Sequence, residues 1–144
     1  MIRAFNNADL PHCIGLLIET YNIPPWNDKW SEESAKEYLT EFIMNSGFTG
    51  FVIEDDSAII GAAFCHTRKW WNGSELYVDE FYINPRYQRK GHGKALMQVL
   101  ENYVFQYSLK GISLATSKKV PAYSFYEHCG FKLLQSIVFM YHGK

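Results

Sequence analysis

Residues 76–94 read LYVDEFYINPRYQRKGHGK, and this stretch decides the fold. Its first part, LYVDEFYI (76–83), predicts a β-strand that stops at Asn84-Pro85. The turn QRKGHG (88–93) follows, and then KALMQVLENYVFQYSL (94–109), which predicts a helix. A strand, a glycine-containing turn and a helix start form a cradle for phosphate, because consecutive N–H groups converge where the helix dipole is positive. The stretch therefore predicts a phosphate-carrying ligand beside a strand that bears carboxylates.

Three phosphate-binding motifs compete for this turn. A P-loop is excluded, because Gln88 replaces its first Gly and Ala95 replaces the Ser or Thr that holds magnesium. A dinucleotide fingerprint is excluded, because Leu96 replaces its third Gly and no carboxylate lies near residue 111. The pattern that fits is Q/R-x-x-G-x-G/A, and it resembles the acyl-CoA pyrophosphate loop of the GNAT superfamily of N-acetyltransferases.

A second match lies downstream at the expected distance. Residues 121–131, PAYSFYEHCGF, resemble the second GNAT signature. The signature positions are filled by Ala122, Phe125, Tyr126, Gly130 and Phe131. The two signatures occur in the right order, with the strand-like GISLAT (111–116) between them. They cover about half the chain and resemble most the enzymes that acetylate polyamines, aminoglycosides and other small amines.

The order of predicted elements is β-α-α-β-β-β-α-β-α-β over a single domain, 1–144. A short first strand precedes a helix that Asn7 or Asp9 is expected to cap and that ends near Tyr21. Ser31 is expected to start the second helix. The remaining elements are predicted as a hairpin over 48–54 and 58–66, the strand 76–83, the helix from 94, a strand over 112–116, a helix over 121–128 and a last strand over 133–141. The resemblance implies an α/β (α+β) fold, with a mixed, mostly antiparallel sheet of six to seven strands and helices on both faces.

Composition indicates a globular, cytoplasmic enzyme. Apolar residues make up 47% and charged residues 20% of the 144. We find no signal peptide and no apolar run of membrane-spanning length, so no membrane association is predicted. The three cysteines are far apart and are interpreted as reduced thiols. The five histidines show no ligand spacing, so no metal site is predicted and all of them are interpreted as chemically inert, with His92 considered only as a member of the turn 88–93.

Charge is divided unevenly along the chain. Residues 1–80 hold 13 Asp and Glu against 5 Lys and Arg, while residues 81–144 hold 2 against 9. A positive C-terminal half suits a polyphosphate cofactor, and an acidic N-terminal half suits a cationic acceptor. The alternative for Glu32, Glu33, Glu37 and Glu41 is a solvated helix face. A pI near 6.5 and the lack of a basic aromatic stripe disfavour nucleic-acid binding.

Acetyl transfer to an amine needs a base, because the acceptor is protonated at neutral pH. Asp79 and Glu80 are the candidates, with Asp79 favoured by the resemblance. As neighbours on a strand they point to opposite faces unless a bulge intervenes. The resemblance places the hydroxyl of Tyr126 beside the CoA sulfur, where it donates a hydrogen bond to the leaving thiolate. For both carboxylates the alternative role is attraction of the ammonium group or pairing with Lys or Arg.

Acetyl-CoA is the implied cosubstrate. The predicted contacts are Phe81, Tyr82, Ile83, Gln88, Arg89, Lys90, Gly91, His92, Gly93, Lys94 and Lys119. Phe81 and Ile83 are expected to flank the pantetheine arm, which pairs with the strand backbone. Lys119 stands where many members have Asn, so it either neutralises a phosphate or lies on the surface.

The acceptor side is predicted from aromatic loops. Trp26, Asp28, Trp30 and Trp71 are the candidate substrate contacts, with Asp28 as an ammonium partner. The same aromatic residues also fit a loop-anchoring core or a dimer surface, and a homodimer is expected by analogy alone. Two other functions stay open: acetylation of a peptide or protein terminus, and binding of acetyl-CoA without turnover.

Overall fold

The computed structural model describes residues 1–144. The strands are β1 (Ile2–Ala4), β2 (Phe48–Asp55), β3 (Ala58–Arg68), β4 (Glu75–Ile83) and β5 (Ile112–Leu114). The helices are α1 (Leu10–Tyr21), α2 (Glu32–Ile43), α3 (His92–Gln106) and α4 (Pro121–His128). Every predicted element except the last strand is present, with ends that move by a few residues. None of the helices combines the length and the apolar character needed to cross a bilayer.

The five strands form one sheet in the order β1-β2-β3-β4-β5. The first three pairings are antiparallel and the fourth, between β4 and β5, is parallel. Two turn residues connect β2 to β3, whereas β4 reaches the parallel β5 only through α3. A mixed, mostly antiparallel sheet is therefore confirmed.

Both faces of the sheet are covered by helices. Ala62 and Phe64 of β3 belong to the apolar cluster that also contains the buried faces of α1 and α2. Ala63 and Cys65, which alternate with them along β3, belong to the second cluster with the buried side of α3. Successive strand residues point to opposite faces, so these two clusters are the two layers of the core.

The first two helices begin differently from each other. Ser31 caps α2 through a reciprocal pair of hydrogen bonds with Ser34, as predicted. Of the two residues expected to cap α1, Asp9 occupies its N-cap position, whereas Asn7 lies in a 3₁₀ turn that precedes the helix and that Asn6 and Asp9 close with a capping box. Asp9 makes no side-chain cap bond to α1, because Arg3 holds both its carboxylate oxygens at 2.9 Å.

The predicted last strand over 133–141 is wrong, and the sheet has five strands rather than six to seven. Residues 131–144 contain no strand or helix. This segment contributes one backbone hydrogen bond of its own, from Ile137 N–H to the carbonyl of Leu134, which closes a turn. Residues 137–141 have strand-type composition, but they pair with no strand in the structure.

Candidate active site

Two irregularities of β4 meet at Asp79. On the β3 side, Phe64 pairs with Glu80 and Cys65 with Val78, so Asp79 is the extra residue of a β-bulge. On the β5 side, the parallel pairing ends at Val78 and Leu114. From Asp79 onward one edge of β4 is therefore free of a partner strand. A bulge turns neighbouring side chains out of strict alternation and a free edge exposes backbone N–H and C=O groups, so this is where β4 is open to a ligand.

Glu80 is clamped by two tyrosines from the helices above it. The Tyr21 hydroxyl, at the end of α1, donates to Oε1 at 3.1 Å. The Tyr38 hydroxyl, on α2, donates to Oε2. A carboxylate accepts more than one hydrogen bond per oxygen, so Glu80 keeps acceptor capacity for a further donor.

Burial raises the pKa of Glu80 to about 7, and the charges of Asp79 and Asp28 act in the same direction. The hydrogen bonds from Tyr38 and Tyr21 oppose this rise, because they stabilise the ionised form. A carboxylate with this pKa exchanges its proton near neutral pH, as a general base must.

Asp79 has a different partner. Its Oδ2 lies 2.7 Å from Nδ1 of His66 on β3, and both side chains are largely shielded from solvent. The interpretation of His66 as inert is therefore wrong, because it holds one of the two candidate bases. Asp79 is the sequence neighbour of Glu80, so the candidate site contains two carboxylates that are held by different residues.

An aromatic wall stands beside the carboxylates. The Trp30 ring packs on the Tyr38 ring at a centroid distance of 4.7 Å, and its Nε1 donates to Asp28 at 3.0 Å. The Trp26 ring meets the Tyr21 ring edge-on at 5.1 Å. Three of the four predicted substrate contacts, Trp26, Asp28 and Trp30, thus lie next to the two tyrosines that hold Glu80.

The fourth predicted substrate contact, Trp71, is not part of this cluster. It lies in the loop between β3 and β4, its side chain is 85% exposed, and no aromatic contact or hydrogen bond joins it to the others. The glutamates of α2 whose role was open, Glu32, Glu33, Glu37 and Glu41, are all exposed.

Tyr126 packs against the second apolar cluster, on the other face of the sheet from Tyr21 and Tyr38. It lies on α4, and its ring meets the Phe81 ring of β4 edge-on at 6.2 Å. Burial and then the charge of Glu80 raise the pKa of its hydroxyl above the ordinary value, so it stays protonated. No side-chain hydrogen bond within the chain engages that hydroxyl, which leaves it available as a donor.

The phosphate cradle has the backbone geometry that the sequence predicts. Arg89 and Gly91 both have positive φ, 63° and 86°, and Gly91 is the N-cap of α3. A Cβ built on Gly91 would enter open space, so the glycine leaves room in front of the helix N-terminus. Gln88 fastens the loop to the end of β4, because its Nε2 donates to the carbonyl of Ile83 at 2.9 Å.

The other predicted cofactor contacts differ in their burial. The side chain of Tyr82 points away into the first apolar cluster, where its hydroxyl donates to the carbonyl of Cys13 at 3.0 Å. Only its backbone therefore remains for a cofactor contact. Phe81 and Ile83 belong to the second cluster. The loop side chains of Arg89, Lys90, Lys94 and Lys119 are exposed and that of His92 is half-buried.

The sequence interpretation missed His66 and Tyr38 as parts of the site. Tyr38 carried one signal, since it lies beside Leu39 and three residues after Ala35, both on the buried face of α2. For His66 there was none, because its contact with Asp79 depends on the register of β3 against a bulged strand.

Comparison with solved structures concerns the fold of the chain. The chain resembles the structure of AAC(6')-Iy in complex with the bisubstrate analog CoA-S-monomethyl-acetylneamine, at 17% identity and a TM-score of 0.77 over 100% of this chain and 98% of that one. It resembles the apo aminoglycoside antibiotic 6'-N-acetyltransferase AAC(6')-IG from Acinetobacter haemolyticus at 17% identity and a TM-score of 0.77, over 100% and 99%. It also resembles a possible acetyltransferase from Clostridium difficile 630 at 16% identity and a TM-score of 0.81, over 100% and 97%.

At this level of identity the structural neighbours establish the fold. No sequence among the curated proteins matches the chain significantly. The family model of the acetyltransferase (GNAT) family matches residues 15–131, which include the open strand, the cradle and α4. Because that match spans well over half of the 144 residues, the chain belongs to the GNAT family of acetyltransferases.

Proposed function

We propose that this enzyme transfers the acetyl group of acetyl-CoA to a primary amine of a cationic small molecule, by direct attack in a ternary complex. One observation carries the proposal. Asp79 and Glu80 lie together where β4 parts from β5, with Asp28 near enough to influence the pKa of Glu80. The Tyr126 hydroxyl makes no side-chain hydrogen bond, and the charge of Glu80 helps to raise its pKa.

The residues on the acceptor side favour a cationic acceptor. The three carboxylates raise the local negative potential, and this attracts an ammonium group. The rings of Trp30 and Tyr38 pack together beside them, so an amine entering here meets aromatic faces as well as charge. A molecule with more than one ammonium group engages more than one of these carboxylates at a time.

Glu80 is the better candidate for the base. Its pKa of about 7 suits proton uptake at neutral pH, whereas His66 occupies one oxygen of Asp79. We assign Asp79 to attraction of the ammonium group, a role that the sequence left open.

The reaction then follows from these positions. Glu80 takes a proton from the ammonium, the amine nitrogen attacks the carbonyl carbon, and a backbone N–H of β4 donates to the oxyanion that forms. The bond from carbon to sulfur then breaks, the nitrogen gives its second proton to water so that a neutral amide remains, and Tyr126 donates a hydrogen bond to the departing thiolate. The pyrophosphate lies in the cradle at Gly91, and the pantetheine arm follows the open edge of β4.

Two alternatives make different demands on the site. A binder without turnover needs neither a buried carboxylate near its working pKa nor a free phenol beside it. An enzyme for peptide or protein termini needs a groove long enough for several residues. The rings packed around Glu80 favour a small acceptor over that groove.

The test is thiol release from acetyl-CoA in the presence of single acceptors: polyamines, aminoglycosides, amino acids and peptides with free N-termini. Turnover confined to the polycationic small molecules supports the proposal. Turnover with peptides alone replaces it with the peptide alternative. Tight binding of acetyl-CoA by calorimetry, with no turnover on any acceptor, favours the binder.

A further inference from the structure

The bulge in β4 turns two neighbouring carboxylates toward the same face of the sheet. Val78 and Phe81 both pack with the second apolar cluster, although strict alternation over three positions would put them on opposite faces. The extra residue of the bulge accounts for this break in alternation. The two residues between them, Asp79 and Glu80, therefore both belong to the other face, which α1 and α2 cover.

The partners of the two carboxylates agree with this placement. Glu80 accepts hydrogen bonds from tyrosines on α1 and α2, the two helices of the first apolar cluster. Asp79 contacts His66, which lies two residues after Phe64 on β3. Phe64 belongs to the first cluster, and residues two apart on a strand share a face.

The sheet itself does not fix the side chain of Asp79. As the extra residue of the bulge, Asp79 has no residue opposite it on β3, and the pairing with β5 has already ended at Val78. The one hydrogen bond of its carboxylate within the chain joins Oδ2 to Nδ1 of His66 at 2.7 Å. The orientation of this carboxylate thus depends on His66.

The imidazole of His66 is in turn packed against β4. His66 lies directly opposite Tyr77 in the ladder, and the two rings are 5.4 Å apart between centroids. The guanidinium of Arg68 lies 4.9 Å from the centroid of the same Tyr77 ring. Contacts on two strands therefore restrict the imidazole that holds Asp79.

The second oxygen of Asp79 is left for a group from outside the chain. Oδ1 makes no hydrogen bond within the chain, and no buried side-chain oxygen or nitrogen lacks a partner. Oδ1 is therefore accessible, on the face that also carries Glu80. An ionised carboxylate accepts hydrogen bonds at both oxygens, so Oδ1 is able to accept one from an ammonium group while His66 holds Oδ2.

We propose that His66 is a positioning residue for the acceptor, because it holds Asp79 with Oδ1 turned toward the ammonium group that enters beside Glu80. The inference rests on the proposed function and assigns to His66 a part of the acceptor affinity. A His66 that served only to stabilise the bulge would affect the fold and would not act on the acceptor through Asp79.

The test compares His66→Leu with His66→Asn in steady-state kinetics, using the acceptor of the panel with the highest kcat/KM. His66→Leu removes the donor and is expected to raise the acceptor KM about 3- to 10-fold. kcat is expected to change by less than about twofold, because the contact with the ammonium is made equally before and during the reaction. His66→Asn places an amide nitrogen near the position of Nδ1 and is expected to recover most of the loss.

A double variant shows whether His66 acts through Asp79. Adding His66→Leu to Asp79→Asn is expected to raise the acceptor KM no further, because the two residues form one unit. The affinity for acetyl-CoA by calorimetry and the circular dichroism spectrum are expected to match those of the wild-type chain in every variant.

The outcomes separate this inference from the proposed function. An acceptor KM that His66→Leu leaves unchanged or lowers, that His66→Asn does not recover, or that rises further in the double variant overturns the role of His66 alone. The proposed function then stands if Glu80→Gln still loses turnover. If no acceptor of the panel is turned over, the proposed function falls and this inference falls with it.

A spectroscopic measurement covers the case in which His66→Leu does not fold. Nitrogen-15 spectra of the wild-type chain, with His66 assigned by its absence in His66→Asn, show which ring nitrogen carries the proton. We expect a proton on Nδ1, and a changed signal from this nitrogen in Asp79→Asn. A ring protonated on Nε2 alone overturns the proposal, because Nδ1 would then have no proton to donate to Asp79.

Discussion

At the residue scale, the site depends on side chains whose neighbours set their protonation. Glu80 is buried under Tyr21 and Tyr38, while Asp79 is held by His66. The two carboxylates are adjacent in sequence but differ in surroundings. The raised pKa of Glu80, about 7, suits this carboxylate to proton transfer near neutral pH.

Glu80→Gln is expected to lower kcat/KM by about 10²- to 10⁴-fold, the range for loss of a general base. The wild-type pH profile is expected to rise with pH and to bend near 7, because Glu80 has a pKa of about 7 and acts in its ionised form. The bend is expected to be absent in the variant. The check is kcat/KM from pH 5.5 to 9.

Asp79→Asn is the comparison for this profile. If Asp79 attracts the ammonium group, the variant raises KM for the acceptor and keeps the bend near pH 7. A profile that loses the bend in Asp79→Asn and keeps it in Glu80→Gln transfers the role of base to Asp79.

Tyr126→Phe is expected to reduce turnover by roughly 10- to 1000-fold, since the leaving thiolate loses its donor. The affinity for acetyl-CoA is expected to change little, because the ring and its contact with Phe81 remain. Steady-state kinetics and calorimetry measure the two quantities separately. Turnover at the wild-type rate would remove Tyr126 from the mechanism.

The sequence predicts roles for Asp79, Glu80 and Tyr126 because they lie in or beside motifs that local spacing reveals. It missed His66 and Tyr38. His66 contacts Asp79, from which it is separated by 13 positions in the sequence, and Tyr38 contacts Glu80, from which it is separated by 42. Such contacts depend on strand register and on helix packing over the sheet. A single sequence does not show either of them.

At the element scale, the loop from Gln88 to Gly93 is built by one hydrogen bond and two positive φ angles. The sequence predicts this turn, because glycines between a predicted strand and a predicted helix indicate a change of direction in the backbone. The last strand was misassigned for the opposite reason. Residues 137–141 have strand-type composition, but composition does not say whether a segment reaches the edge of a sheet, and these residues form no strand.

Gly91→Val is expected to weaken acetyl-CoA binding by tenfold or more. A β-branched side chain is strained at φ 86° and fills the space in front of α3. Gly111→Val is the control, because Gly111 has no positive φ and its Cβ also enters open space. Calorimetric titration of both variants provides the comparison, and equal affinities would refute the position of the cradle.

Ser31→Ala is expected to lower the free energy of unfolding by about 1 kcal/mol, since α2 loses its capping box. Chemical denaturation monitored by circular dichroism measures this difference. Ser124→Ala, at an exposed interior position of α4, is expected to cost nothing. Equal stabilities for Ser31→Ala and the wild-type chain would mean that the cap contributes nothing.

At the scale of the whole molecule, the uneven charge along the sequence corresponds to the two sides of the candidate site. The acidic half contains Asp28, Asp79 and Glu80, and the basic half contains the cradle loop. The overall α/β architecture and its single sheet followed from the two signatures and the order of elements. The number of strands did not, because it depends on the C-terminal segment.

Added salt is expected to weaken the binding of both substrates, the acceptor and acetyl-CoA. KM for a polycationic acceptor and Kd for acetyl-CoA should each rise several-fold between 0.05 and 0.5 M salt, because the Debye length falls to a few ångströms. Initial rates and titrations across this range measure the two effects. An acceptor KM that is independent of salt would contradict the role assigned to the carboxylates.

The most direct measurement is a competition in one vessel. The enzyme receives limiting acetyl-CoA and equal concentrations of a polyamine, an aminoglycoside, an amino acid and a peptide with a free N-terminus. Mass spectrometry then identifies which amines are acetylated, and the product ratios report relative kcat/KM. We predict acetylated polyamine or aminoglycoside with little acetylated peptide or amino acid. Acetylation of the peptide above both polycations would contradict the account.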